Sequence, residues 1–232
     1  MLSVRSLLPT RELLSADLLY QTSERGIHMK VAEKTKIAVM VSGGGTNLQA
    51  LIDAQKCGII KSGKISLVIS NNPNAYAITR AELANIPSVV ITKKEYGTQE
   101  AFENKIVQTL EENGIQLIVL AGFMSILSES FTSRYPKRII NVHPSLIPSF
   151  CGKGFYGLKV HEAALAYGVK VTGATVHFVN EVPDGGEIIL QKSVSIKKNE
   201  TPESLQQKVM RQAEWVILPK AVELVSAEMM SK

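Results

Sequence analysis

Cysteine is scarce in this chain of 232 residues, represented by Cys57 and Cys151 alone. They form neither a closely spaced pair nor part of a Cys/His ligand cluster, so a disulfide framework and a structural zinc both lack support. A reducing cytoplasm is the expected setting. No apolar run approaches the length of a membrane span, and no membrane association is expected. Aromatic residues make up 6% of the chain, and the basic residues are scattered rather than gathered into a run interleaved with them. The formal net charge of +5 therefore gives no particular support to a nucleic-acid partner and suits anionic small molecules equally well. Internal repeats and low-complexity tracts are missing too.

What is present is a hydrophobic content of 45% with 20% charged residues, enough for one full core in a single domain with appendages. Residues 1–35 carry no consistent helical or strand period, and Met29 sits just ahead of the first strong strand. They contain no compact apolar segment ending in a small-residue cleavage site, and Glu12, Asp17 and Glu24 count against a targeting segment. This stretch is expected to be a poorly ordered extension, with residues 36–232 forming the single domain.

From Lys36 onward, short apolar runs alternate with longer amphipathic ones. Lys36–Val41, Ile65–Ser70, Ser88–Thr92, Leu117–Ala121 and Ile139–Val142 read as strands. Asn47–Cys57, Ala75–Asn85, Gln99–Glu112 and Ser128–Tyr135 read as the helices between them. Near-continuous apolar strands separated by helices imply a mostly parallel, doubly wound α/β sheet. Beyond Tyr156 the pattern changes: a helix over Leu158–Tyr167 precedes Val171–Asn180 and Glu187–Ser195, which read as an antiparallel addition joined by Asp184-Gly185-Gly186. Thr201-Pro202 marks a final helix start, and Pro219 is expected to kink or split that helix.

In such a sheet, ligands bind beyond the carboxyl ends of the strands. The first loop there is Ser42-Gly43-Gly44-Gly45-Thr46-Asn47, whose glycines and following helix start favour a phosphate, with a tight turn as the plainer alternative. It lacks the Lys-Ser/Thr ending of a nucleotide-binding P-loop. The second, Ala121 to Leu127, offers Phe123, Met124, Ile126 and Leu127 to line a slot for a flat heterocycle, unless they simply pack into the core. The third follows Asn141-Val142-His143-Pro144-Ser145. Side chains alternate along a strand, so Asn141 and His143 share a face. An amide can donate to a developing oxyanion, an imidazole can carry a proton near neutral pH, and a carboxylate such as Asp184 can hold that imidazole charged. Taken singly, each of the three is as readily a turn or structural residue; together they point to acyl transfer without a nucleophilic side chain. Arg211 and Glu214 lie three apart on the final helix and are expected to share a face, either pairing with each other or holding a phosphate and a ribose hydroxyl.

These segments resemble the folate-dependent glycinamide ribonucleotide formyltransferases. The similarity covers roughly Lys36 to Val225. It runs through Ile37 to Gln49, Ser70-Asn71, Leu120-Ala121-Gly122-Phe123-Met124, Asn141 to Leu146, His177-Phe178-Val179 and Asp184-Gly185-Gly186. The resemblance implies a Rossmann-like formyltransferase fold and a reaction in purine synthesis. A formyl group would pass from 10-formyltetrahydrofolate, as co-substrate, to the amine of glycinamide ribonucleotide, with no metal required. It implies Asn141, His143 and Asp184 as the catalytic trio. Gly45, Thr46 and Asn47, with Glu214, fall at ribonucleotide-binding positions, and Arg211 joins them as a binding candidate through its spacing to Glu214. Arg80, Met124, Ser125, Ile126, Leu127 and Asn141 fall at folate-binding ones. The partners are small molecules, and the expected assembly is a monomer or homodimer. Two departures stand out: many relatives have Arg where this chain has Ser125, and Phe150–Tyr156 is longer than in some relatives. A formyltetrahydrofolate hydrolase, with water as acceptor, and a non-catalytic phosphate-ligand-binding module are the alternatives.

Overall fold

The central strands form where the chain is apolar on both faces. A computed structural model describes residues 33–231, so most of the expected amino-terminal extension lies outside the described residues. Five strands run parallel: β1 (Thr35–Val41), β2 (Gly63–Ser70), β3 (Ser88–Val90), β4 (Leu117–Leu120) and β5 (Ile139–His143). Then β6 (Val171–Phe178) pairs antiparallel with β5, and β7 (Ile188–Ser195) antiparallel with β6. The order across the seven-stranded sheet is β3-β2-β1-β4-β5-β6-β7. This is the doubly wound, mostly parallel sheet with an antiparallel addition that the sequence pattern implies. Among the described residues no helix is long and apolar enough to cross a membrane.

The alternation along β1 shows why both faces are covered. Ile37, Val39 and Val41 pack with α1 (Thr46–Lys56), α2 (Tyr76–Leu83), α7 (Pro202–Val209) and α8 (Trp215–Met230). Ala38 and Met40 face the other layer, against Phe102, Ile106 and Leu110 of α4 (Gln99–Glu112) and Phe131 of α5 (Glu129–Thr132). All five β1 side chains from Ile37 to Val41 are fully buried. Fully burying an aliphatic side chain of this size stabilises by roughly 1.5–3 kcal/mol. A polar substitution at either alternate set would open one layer.

Local signals set the helix ends. The Thr98 hydroxyl accepts from the Ala101 N–H to start α4, and Thr201 forms a capping box with Ser204 ahead of Pro202 to start α7. Gly168, left-handed at φ 82, stops α6 (Leu158–Tyr167). Two expectations change. The helix over Ser128–Tyr135 is a single turn, Glu129–Thr132, because Tyr135 precedes Pro136 and is steered away from helical angles. A short helix, α3 (Lys93–Tyr96), capped by Thr92, follows β3, which ends at Val90.

The final helix does not break at Pro219. Pro219 lies inside α8, and the irregularity falls upstream as a π turn over Met210–Glu214 that joins α7 to α8. Such wide turns often mark functional positions. Here it carries both Arg211 and Glu214.

Candidate active site

β5 carries Asn141 and His143 out of the sheet on one face, while Ile140 and Val142 point into the opposite core layer. Antiparallel pairing with β6 sets His177 opposite Asn141 and Thr175 opposite His143. The loop after β6 brings Asp184 back over the same strand ends. Asp184 takes a left-handed φ of 56, which its short polar side chain tolerates better than most. Gly186 lets the loop lie flat against β6: a Cβ there would sit 1.8 Å from the Phe178 carbonyl oxygen.

Asp184 is held between two imidazoles. Its Oδ2 lies 3.5 Å from His143 Nδ1, its Oδ1 lies 3.6 Å from His177 Nε2, and the Gly152 N–H donates to Oδ2 at 2.8 Å. Burial pushes the Asp184 pKa up, but the His177 contact, the nearby His143 and the Gly152 bond together hold it below the usual carboxylate value. His143 is buried, and its Nε2 lies 2.9 Å from the Phe150 carbonyl oxygen. A carbonyl only accepts, so Nε2 carries the hydrogen and Nδ1 faces the carboxylate. By the same reasoning His177 carries hydrogen on Nδ1, 2.8 Å from the Phe178 carbonyl oxygen. Its Nε2 then faces the Asn141 amide nitrogen at 3.3 Å.

These groups border a cleft of about 610 Å³ lined by Asn141, His143 and Asp184 together with Asn47, Glu214 and the Gly152–Gly157 loop. A second cavity of about 130 Å³ adjoins it, walled by Leu120, Phe123, Leu127 and Val179. Asn141, Asp184, Ser125 and Ile126 belong to both walls. The two chambers therefore meet where the amide and the carboxylate lie. The smaller is a slot in which these apolar side chains stand beside Asn141, His177, Asn180 and Glu181; the larger reaches toward the start of α1.

At that far wall, Asn47 Nδ2 donates to Glu214 Oε2 at 2.8 Å. Glu214 is buried, and burial pushes its pKa up to about 7 while the Asn47 bond opposes the rise. Gly45, left-handed at φ 68, opens α1 without a side-chain cap, so the free amides of the first turn remain available to an anion. Of Gly45, Thr46 and Asn47, only Asn47 reaches the cleft wall. Arg80 stands behind the loop: its Nε donates to the Gly44 carbonyl at 2.8 Å, an Nη donates to Gln49 Oε1 at 3.0 Å, and the guanidinium lies over the Tyr76 ring. Met124, Ser125 and Ile126 line the cleft, and Leu127 the slot. Ser125 is pinned by Asn71, whose Nδ2 donates to its Oγ at 2.8 Å.

Arg211 and Glu214 do not share a face. Arg211 is exposed, Glu214 is buried, and among the described residues no ion pair joins them. The π turn is wider than an α turn, so a spacing of three no longer aligns side chains. Three contributors received no role from the sequence, although His177 lies in one of the segments that carry the resemblance. His177 and Gly152 hold Asp184, and His161 lies buried at the cleft wall. The strand pairing that sets His177 opposite Asn141 is the signal that would have found the first; Gly152 acts through its backbone and leaves no side-chain signature.

Comparison with known proteins identifies the family. A family model described as formyl transferase matches residues 35–222. The phosphoribosylglycinamide formyltransferase of Haemophilus influenzae is 42% identical over 184 residues, which is 79% of this chain and 84% of that protein. The trifunctional purine biosynthetic protein adenosine-3 of Gallus gallus is 43% identical over 194 residues, and the match covers 84% of this chain but 19% of that protein. The chain thus spans about a fifth of the length of such multifunctional relatives. A solved phosphoribosylglycinamide formyltransferase of Coxiella burnetii, in complex with CHES, superposes with a TM-score of 0.77 at 40% identity, covering 84% of this chain and 89% of that one.

Proposed function

The chain belongs to the formyl transferase family, and from that premise we propose that it transfers a formyl group from 10-formyltetrahydrofolate to the amine of glycinamide ribonucleotide. One observation carries the reading: a small slot and a larger cleft that reaches toward the anion-favouring start of α1 meet at Asn141 and Asp184, with His143 alongside. Two substrates fit two adjoining chambers, and the group that moves would pass at the junction.

In this reading the folate ring occupies the slot beside Leu127 and Val179. The ribonucleotide phosphate lies at the first turn of α1, and its ribose hydroxyls meet Glu214. The amine attacks the formyl carbon, giving a tetrahedral carbon whose oxygen bears the charge. The Asn141 amide donates to that oxygen. His143, beside Asp184, donates as well, and the proton lost by the amine passes to the folate nitrogen as the carbon–nitrogen bond to folate breaks. In the arrangement described above, the His143 Nε2 hydrogen is engaged by the Phe150 carbonyl. That contact must give way for His143 to meet the formyl oxygen. Phe150 sits at a left-handed φ of 50, an unfavourable angle for an aromatic residue, which makes this the natural point of release. The reading extends to cytoplasmic work by a monomer or homodimer, which sedimentation of the purified chain distinguishes.

The test follows loss of the formyl group spectroscopically, with and without glycinamide ribonucleotide. Turnover only with the ribonucleotide supports transfer. Turnover with water alone makes the chain a hydrolase, and binding of both ligands without turnover makes it a binding module.

A further inference from the structure

His161 stands in the fourth position of α6, fully buried, at the wall of the same cleft, and neither of its ring nitrogens has a hydrogen-bond partner. Burial, and secondarily the charge of His143, lowers its pKa to about 4, so it is neutral at physiological pH. A neutral imidazole offers one donor and one acceptor, and burying both unpaired costs stability unless a partner arrives. The N-cap of α6 borders the same cleft. Gly157 caps the helix without a side-chain bond and lines the cleft, and a Cβ at Gly152, Gly154 or Gly157 would meet open space. These glycines are not there for tight packing; their left-handed φ values of 85, 95 and 56 leave the backbone open to the cleft.

We propose that His161 is the acceptor-binding residue that hydrogen-bonds the carboxamide next to the attacking amine. The inference rests on glycinamide ribonucleotide being the acceptor. Its order of groups is phosphate, ribose, carboxamide, amine. With the phosphate at α1, the ribose at Glu214 and the amine at His143, the carboxamide falls beside His143. His161 occupies that neighbourhood, close enough for its pKa to respond to His143. A carboxamide presents one N–H and one carbonyl, and a neutral imidazole answers either with whichever tautomer is present. An imidazolium could only donate.

The test compares the full chain with His161→Leu and His161→Gln. The readings are KM for each substrate, inhibition by ribose 5-phosphate, which lacks the carboxamide, and melting temperature. His161→Leu should raise KM for the ribonucleotide about tenfold. KM for the formyl folate and inhibition by ribose 5-phosphate should stay within about twofold. Melting temperature should hold or rise, because an unpaired buried polar ring has been replaced by an apolar side chain. His161→Gln, which keeps a donor and an acceptor, should recover part of the lost affinity. A purely structural His161 would instead lower the melting temperature and move both KM values together, and that result overturns the proposal. So does a parallel loss of ribose 5-phosphate inhibition, or a KM unchanged in His161→Leu. If the wild-type chain transfers nothing to glycinamide ribonucleotide, the acceptor assignment fails and takes this inference with it.

Discussion

Asp184 and Glu214 line one cleft, yet their surroundings drive them in opposite directions. Asp184 has two imidazoles and a backbone N–H around it, and its pKa is held down. Glu214 has a single amide partner in a buried setting, and its pKa climbs to about 7. Neither sequence position announces this difference, because an acidic residue in a loop and one at the end of a helical turn are both ordinarily solvated. Environment divides them into a carboxyl whose proton affinity is lowered and one that changes charge near neutrality. In the proposed reaction the first would serve the proton transfer and the second would meet a neutral sugar hydroxyl.

The largest effects should come from the charged end. Asn141→Ala and His143→Ala should each cut turnover at least roughly a hundredfold with unfolding curves close to wild type. Near-normal turnover in either purified variant would remove that residue from the chemistry and leave the contrast without a function. Glu214→Gln tests the other wall. It should raise KM for the ribonucleotide about tenfold and leave kcat within a few-fold.

The same variant carries a stability signature. The folded pKa of Glu214 lies above its ordinary value of 4.5, so the folded state keeps the proton longer than the unfolded chain. Stability contributed in this way is complete below about 4.5 and is lost as pH rises through about 7. Relative to wild type, Glu214→Gln should therefore gain stability across that window, by up to about 3 kcal/mol. Chemical denaturation at pH 5 and pH 8 reads the difference, and a constant offset would mean that Glu214 is not protonated in the folded chain.

A smaller effect is expected from His177→Gln, which removes one of the two imidazoles beside Asp184. Turnover should fall several-fold and its acid limb should move toward higher pH as the carboxyl becomes easier to protonate. An unchanged profile would assign the hold on Asp184 to His143 and Gly152 alone. Smallest is Arg80→Leu. Its hydrogen bonds brace a half-exposed loop, and their loss should cost about 1 kcal/mol or less in stability, with a few-fold rise in KM for the ribonucleotide.

Much of the architecture was legible because apolar runs of strand length state both their period and their burial. The strand starting near Lys36 and the helices over Gln99–Glu112 and Leu158–Tyr167 are read directly from the pattern. Asn141 and His143 were legible as a same-face pair for the same reason. What escaped depends on contacts between distant segments. The π turn at Met210–Glu214 overrides the spacing rule that aligned Arg211 with Glu214. Arg80 reaches the Gly44 carbonyl only because Gly45 packs against Ala77, where an added Cβ would lie 2.6 Å away. His161 reads as one more residue of an ordinary helix until burial strips its partners.

The bond from the Gly152 amide to Asp184 gives this molecule a built-in gauge. A backbone hydrogen pointing at a carboxylate oxygen shifts its nuclear resonance when that oxygen gains a proton or turns toward a ligand. Isotope labelling of Gly152 would let a spectrometer follow the acid during titration or substrate addition, without placing any reporter group in the cleft.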